Sequence, residues 1–362
     1  MKKILILLAT LIFMISVSGC GENSGGEKNS SSNGKVIGVS MPTQTAQRWI
    51  QDGDHIKSNL EKKGYSVNLK YAEDDIEIQV KQISEMIENN VSCLVIASID
   101  STKLVDVLEK AKEKNIPVIA YDRLLMDTDS VSYYATFDNK SVGILIGRYV
   151  EEKLDLRTSD KTFNVEFFAG SPDDNNAKFL NDGVFEILQP YIDKGKLKVL
   201  SGETDFEKIC TLRWSGETAE KRMKKILNDY YKDEKIDAVI SPYDGISYGI
   251  ISALKDSGYK VGEDFPLITG QDADLQAIKN ILNGEQSMTI FKDTRILAEK
   301  CVQMVEAVLS GKVPQINDAI SYDNHKLVVP AFLCEPVVID INNIDKELVE
   351  SGYYTKADIN DK

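Results

Sequence analysis

Charged and amide side chains recur at one type of position in this sequence, the residue or two that follow a short apolar run. Asp122 and Arg123 follow "IPVIAY", Asp138 and Asn139 follow "YYATF", and Asn175, Asn176 and Lys178 close "FFAGSPDDNNAK". Asp244 ends "AVISPYD", Gln271 and Asp272 sit in "TGQDA", and Lys292 ends "TIFK". Arg48 and Trp49 stand just beyond "KVIGVS". An Asp or Asn in such a place caps a helix, and that role suffices for Asp138, Asp173 and Asp293. Capping does not account for Arg48, Arg123, Lys178, Arg213 and Lys292. Carboxylates and cations that converge on one cleft suit a ligand rich in hydroxyls. Each hydroxyl donates to a carboxylate and accepts from a cation or amide, through charge-assisted bonds. Trp49 and Trp214 each stand beside an arginine, in "QRW" and "LRW", and offer the flat apolar face on which a pyranose ring packs. Trp49 also fits the core face of a helix, so both roles stay open for it.

The elements that must position these residues alternate. "KVIGVS" precedes a helical pattern carrying Trp49, Gly53, Ile56 and Leu60, and "VNLKY" precedes Ile76, Val80, Ile83 and Ile87. "CLVIAS" precedes a helix with Leu104, Leu108 and Ala111, and "IPVIAYD" closes this block. The rhythm repeats through "VSYYATF", "FNVEFFAG", "LKVLSG", "DAVISPYD", "PLITGQD" and "SMTIFKD", each followed by a helix, and ends on "LVVP" and "PVVID". Short apolar strands alternating with amphipathic helices predict an α/β fold whose parallel sheets are covered on both faces. The number of strands predicts two such blocks. In open sheets of this kind ligands bind beyond the carboxyl ends of the strands, which is where the polar residues fall.

The first residues have another purpose. Lys2 and Lys3 precede an apolar run from Ile4 to Val17, a signal-peptide pattern shorter than the roughly 20 residues of a spanning helix. Val17-Ser18-Gly19-Cys20 resembles the lipobox of bacterial lipoproteins, which implies cleavage after residue 19 and a lipid on Cys20. Residues 20–34 are rich in Gly, Ser and Asn and read as a flexible tether. The remainder has ordinary globular composition, in a chain with 42% hydrophobic and 28% charged residues. A formal net charge of -14 argues against nucleic acid or an anionic lipid surface as the main partner. Cys93, Cys210, Cys301 and Cys334 are far apart, form no CxxC or metal-ligand spacing, and read as free thiols; no metal or cofactor is expected.

The segments "MPTQTAQRWIQDG", "YAEDD", "LVIASID", "PVIAYDRL", "YYATFDN", "GSPDDNNA", "TLRW", "SPYDG", "TGQDA", "IFKDTR" and "SGYYT" together resemble bacterial monosaccharide-binding proteins of ABC transporters, of the multiple-sugar-binding and xylose-binding type. The resemblance runs from about Val36 to Tyr354. It implies a type I periplasmic-binding-protein fold, with two Rossmann-like lobes joined by a three-segment hinge and closing on a sugar. The crossings are expected near Leu124, Lys292 and Val328. That divides the chain into an N-terminal lobe of 35–124 plus 293–328 and a C-terminal lobe of 125–292 plus 329–362. By resemblance, Arg48, Asp122 and Arg123 contact the sugar from the first lobe, and Trp214, Asp244 and Asp272 from the second. Lys292 reaches in at a crossing, Asn139 lies near the hinge, and Asn176 and Lys178 complete the expected set. The implied protein is a monomeric lipoprotein on the outer face of the cytoplasmic membrane that delivers an aldopyranose to an ABC permease, without catalysis.

A hydrolase is the main chemical rival. "GISYG", Gly245–Gly249, matches G-x-S-x-G, and Asp272 and His325 follow Ser247 in α/β-hydrolase order. The elbow serine must sit at the sharp turn directly after a strand, however, and here "SPYD" intervenes. A glycosidase would need paired carboxylates, but neighbouring cations favour ionised groups suited to binding. A sensor that presents its closed form to a membrane receptor would share fold and site. A sugar-responsive repressor would carry a basic helix-turn-helix head where this chain has a leader and tether.

Overall fold

In chain order the elements are β1 (Val36–Met41), α1 (Gln47–Lys62), β2 (Ser66–Tyr71), α2 (Ile76–Glu88), β3 (Cys93–Ile96), α3 (Val105–Glu113), β4 (Val118–Tyr121), β5 (Tyr133–Phe137) and α4 (Asn139–Lys153). There follow β6 (Phe163–Phe167), α5 (Asn175–Asp193), β7 (Leu197–Lys198), α6 (Phe206–Ile209), a 3₁₀ turn (Leu212–Trp214), α7 (Gly216–Tyr230), β8 (Ala238–Ile240), α8 (Asp244–Asp256), β9 (Leu267–Ile268) and α9 (Leu275–Leu282). The chain ends with β10 (Met288–Phe291), α10 (Thr294–Leu309), β11 (Ala331–Cys334), β12 (Val337–Asp340), a π-helical turn (Asp345–Val349) and α11 (Lys356–Asn360). This computed structural model describes residues 34–360. The expected leader over 1–19, the lipidated Cys20 and the tether up to residue 33 lie outside the described residues. Among those described, no helix is long and apolar enough to cross a membrane.

The first sheet is six-stranded and parallel throughout, in the order β11-β5-β4-β3-β1-β2. Its central strands, CLVI and VIAY, are buried at every position, as uninterrupted apolar runs in a doubly covered sheet should be. One face packs α2 and α3 through Ile83, Met86, Val107 and Leu108. The other packs α1 and α10 through Trp49, Ile56, Leu60, Leu297 and Cys301.

The second sheet is four-stranded and parallel, in the order β7-β6-β8-β9, and β10 pairs antiparallel with β12 beside it. Helices α4 and α5 cover one face through Val142, Ile146, Val184 and Leu188. Helices α7 and α8 cover the other through Met223, Ile226, Ile250 and Leu254. Both helix pairs cross backbone against backbone. A Cβ at Gly143 or Gly183 would overlap the facing main chain of α5 or α4, and one at Gly216 or Gly249 would do the same between α8 and α7.

Strand pairing puts two of the passages between the lobes later than the expected crossings at Leu124 and Val328. β5 pairs with β4, and β11 with β5, so 133–137 and 331–334 belong to the first sheet. The chain leaves that sheet after Phe137, returns to its α10 face after Phe291, and leaves again between Cys334 and Val337. Expected residues 327–330 form no strand; the strand lies at Ala331–Cys334 instead.

Candidate ligand-binding site

A cavity of about 270 Å³ lies between the two sheets, at the carboxyl ends of their strands. Of the residues singled out from sequence, Arg48, Trp49, Asp122, Arg123, Asn139, Asn176, Trp214, Asp272 and Lys292 line it; Lys178 and Asp244 do not.

Arg48 organises the first-lobe wall. It sits in the opening turn of α1, with Asp52 one turn on, so the two share a helix face. Arg48 Nε donates to Asp52 Oδ2 at 3.1 Å, Nη2 to Asp122, and Nη1 lies 3.5 Å from Asp272 Oδ1. Lys292 Nζ lies 3.0 Å from the same Asp272 oxygen. None of these five side chains is more than 8% exposed. Burial alone would raise the Asp122 carboxyl, but Arg48, Lys292 and Arg123 outweigh it and hold the group below its ordinary value. Asp52 is pushed up to about 7 by burial, against Arg48 and a hydrogen bond from Tyr121. Trp49 stands where the core meets the cavity wall. It is packed in the core and lines the cavity, with the guanidinium carbons of Arg48 and Arg123 at 4.8 and 5.1 Å from its ring centre, within cation–π range.

Backbone strain concentrates here. Of twelve non-glycine residues with positive φ among the described residues, Asp74, Asp122, Arg213, Trp214 and Asp272 line this cavity. Such conformations persist only where the surroundings hold them. The Asp122 carbonyl accepts from Tyr134 Oη, from Thr136 Oγ1 at 2.8 Å and from Asn176 Nδ2 at 2.8 Å. The Arg213 amide donates to Ser171 Oγ at 2.7 Å. Trp214 lies directly over Gly170, where any Cβ would overlap the indole, and meets Tyr243 edge-on at 6.0 Å.

The lobes also touch each other directly. Ser101 Oγ donates to the Asp173 carbonyl at 3.1 Å. Arg213 Nη1 donates to the Ile99 carbonyl across the cleft at 3.2 Å and is held by Asp173 of its own lobe at 3.1 Å. Arg123 Nε lies 3.0 Å from Asp174 Oδ2. The described structure is therefore a closed one.

Two expectations are corrected. Asp244 is wholly buried at the start of α8, accepting from Gln286 Nε2 at 2.8 Å, Thr289 Oγ1 at 3.0 Å and the Asp274 amide at 3.1 Å. Burial, then the charge of Asp274, raises its carboxyl well above the ordinary value. It braces the loop behind the cavity, and its neighbour Tyr243 supplies the lining. Lys178 is exposed; two residues from the buried Asn176, it points about 200° round the helix. The lining further includes Thr43, Asp74, Asp174, Arg213, Tyr243 and Gln271. Of these, Arg213 and Gln271 carried a signal, as polar residues at strand-to-helix transitions. Ser247 is no elbow nucleophile: it is fully buried within α8, and its hydroxyl lies 2.8 Å from both Ser241 Oγ and the Thr269 carbonyl oxygen. His325 is exposed and lies 2.9 Å from Asp127. No group of His, Cys, Asp and Glu among the described residues could hold a metal ion.

A family model described as a periplasmic binding protein domain matches residues 37–313. The chain is 51% identical over 323 residues to the multiple sugar-binding periplasmic protein SbpA of Azospirillum brasilense, covering 89% of this chain and 90% of that one. It is 49% identical to the multiple sugar-binding periplasmic receptor ChvE of Rhizobium radiobacter, covering 89% and 91%. Among solved structures it is similar to an ABC transporter solute-binding protein from Clostridium phytofermentans with bound β-D-glucose, at a TM-score of 0.87 and 49% identity, covering 90% of this chain and all of that one.

Proposed function

The chain belongs to the periplasmic-binding-protein family, and from that premise we propose that it captures a neutral monosaccharide, an aldopyranose, in this cavity and presents it to an ABC importer. One observation carries the ligand class. Four carboxylates, on Asp74, Asp122, Asp174 and Asp272, line the cavity with four cations, on Arg48, Arg123, Arg213 and Lys292. A charged ligand would leave that balance uncompensated beside Arg48, Asp122, Asp272 and Lys292, which are at most 8% exposed, whereas a ring of hydroxyls donates to the first set and accepts from the second. The lined side chains act as binding groups: Arg48, Asp122, Asp272 and Lys292 on hydroxyls, Trp214 on the ring face. The lobes move about the passages that follow Phe137, Phe291 and Cys334. One chain supplies the whole cavity, so a monomer suffices. Lipid on Cys20 and the tether hold the body on the outer face of the cytoplasmic membrane. Cell fractionation of the Cys20→Ser variant tests this, and a variant that remains membrane-bound and lipid-modified refutes it.

The ligand class is tested by thermal shift against D-glucose, D-galactose, D-xylose and L-arabinose beside gluconate, maltose and amino acids. A ligand that binds the native form raises the melting temperature by mass action. Stabilisation by one or more neutral aldoses and not by the sugar acid is expected. A flat response to all four aldoses refutes the proposal.

A further inference from the structure

We propose that Gln271 is a specificity-determining residue of this site, its side-chain amide reading one ligand hydroxyl; the inference rests on the sugar-binding reading above. Seven buried side-chain polar atoms have no hydrogen-bond partner among the described residues, and three of them belong to residues that line the cavity: Arg123 Nε, Trp214 Nε1 and Gln271 Oε1. Arg123 is engaged with the Asp174 carboxylate at 3.0 Å. That leaves one acceptor, on Gln271, and one donor, on Trp214.

Gln271 is 5% exposed, and its main chain holds it at the wall. Its carbonyl accepts from the Asp244 amide at 3.1 Å. The next amide, of Asp272, donates to the Ile290 carbonyl at 2.8 Å. On the other side Gly270 is wedged so closely that a Cβ there would overlap the side chains of Asp244 and Gln286. Buried polar atoms are paired in nearly all native structures, and a hydroxyl is the partner that a side-chain amide at the wall of a sugar cavity can find as it turns to meet the ligand.

The chemistry differs from that of the ionic groups beside it. Arg48, Asp122, Asp272 and Lys292 are already paired with one another and tolerate the loss of one ligand bond. Gln271 has no such reserve. A sugar that lacks the matching hydroxyl, or directs it elsewhere, leaves the amide buried and unpaired, which is how a neutral polar group rejects close analogues.

The test is the Gln271→Met variant of the mature protein, which keeps length and removes both polar atoms. Calorimetric titration compares it with the parent on the tightest aldose found and on that sugar's monodeoxy analogues. The variant should bind the parent sugar about tenfold or more weakly, and bind one deoxy analogue as tightly as the parent protein does. Its ligand-free melting temperature should not fall, since an unpaired buried amide has been removed. Unchanged affinity for every sugar overturns the proposal. So does an equal loss for the aldose and all its deoxy analogues, which marks a general structural role. If Gln271→Met does not fold, Gln271→Glu, which keeps an acceptor, should keep the parent's ranking of the analogues; a reordered ranking overturns the proposal. If the parent protein binds no aldose, the sugar-binding reading fails before the role of Gln271 is reached.

Discussion

Asp272→Asn is the substitution that most directly tests the charge logic of the cavity. The Asp272 carboxylate faces Lys292 at 3.0 Å and Arg48 at 3.5 Å, with φ of 97°. Asn keeps the volume, one acceptor oxygen and tolerance of positive φ, so the substitution removes the charge and turns the second acceptor into a donor. A hydrogen bond to a charged group contributes about 1.5–3 kcal/mol and a neutral one about 0.5–1.5. The difference of about 1–1.5 kcal/mol per hydroxyl bond corresponds to roughly tenfold in affinity. If the carboxylate accepts from two hydroxyls, the loss approaches a hundredfold. A second effect appears without ligand. Lys292 is 3% exposed, and removing one partner of a buried pair outright destabilises by about 3–5 kcal/mol; the Asn oxygen recovers part of that. Arg48 retains Asp52 and Asp122. Calorimetric titration with an aldose that stabilises the parent, alongside a ligand-free melt, separates the two effects. A folded variant whose dissociation constant stays within about twofold of the parent's would refute the assignment of Asp272 to the ligand.

Gly170→Ala should displace the Trp214 indole, because overpacking typically costs about 1–3 kcal/mol. Weaker sugar binding and altered emission from a protein with two tryptophans are expected, and an unchanged spectrum and affinity would show the indole undisturbed. Asp274→Asn should change how stability depends on pH. Burial, then the charge of Asp272, pushes the Asp274 carboxyl up to about 7, above its unfolded value of about 3.9. The folded form therefore holds a proton that the unfolded form releases. The group's contribution is complete below pH about 4 and is lost as pH rises through about 7. The variant should gain stability relative to the parent between pH 5 and 8 in ligand-free melts; parallel profiles would contradict this. Asp52, also near 7, titrates in both proteins and cancels in the difference between the curves; Asp244, whose carboxyl the charge of Asp274 raises, is relieved in the same direction, so the difference reports the Asp244–Asp274 pair. Arg213→Ala removes the bond to the Ile99 carbonyl across the cleft and the pair with Asp173 in its own lobe. The side chain is 33% exposed, so a modest loss of about two- to tenfold in affinity is expected. Small-angle scattering of the liganded form should show a larger open fraction, and identical closure would remove Arg213 as a latch.

The alternation of strands and helices was plain in the sequence because buried parallel strands such as CLVI and VIAY are unbroken apolar runs. Which sheet each strand joins was not. "YYATF" reads the same whether it opens the second block or closes the first, and only its pairing with β4 and β11 decides. The same limit governed the site. Polarity after a strand located Asp122, Asp272 and Lys292, but it also picked out Asp244, whose carboxylate turns to Gln286 and Thr289. Lys178 was separable in principle, since helical geometry sends it away from Asn176. Asp74 was not, because it reaches the cavity through left-handed backbone at Glu73 and Asp74, which those residue types do not announce.

How the charges divide between the lobes bears on why a neutral ligand would close the cleft. Arg48 makes its shortest bonds within its own lobe, to Asp52 and Asp122, and its longest, at 3.5 Å, to Asp272 across the cleft. Asp272 has a nearer cation, Lys292 at 3.0 Å. Opening the lobes therefore breaks the weakest link around Arg48 and leaves Arg48 and Asp272 each with an ion pair, while it separates Arg123 from Asp174, 3.0 Å apart across the cleft. Around Arg48 no charge loses its last partner, so the large penalty for an unpaired buried ion does not arise there; the Arg123–Asp174 pair favours the closed form. Beyond the direct bonds between the lobes, what a ligand adds to closure must come from groups still able to bond, which are the free lone pairs and protons of the paired ions and the side chains of Gln271 and Trp214. Hydroxyls fit all of these without disturbing any pair. A carboxylate ligand would compete with Asp122 and Asp272 for Arg48 and Lys292, and would weaken the bonds that hold the site in shape.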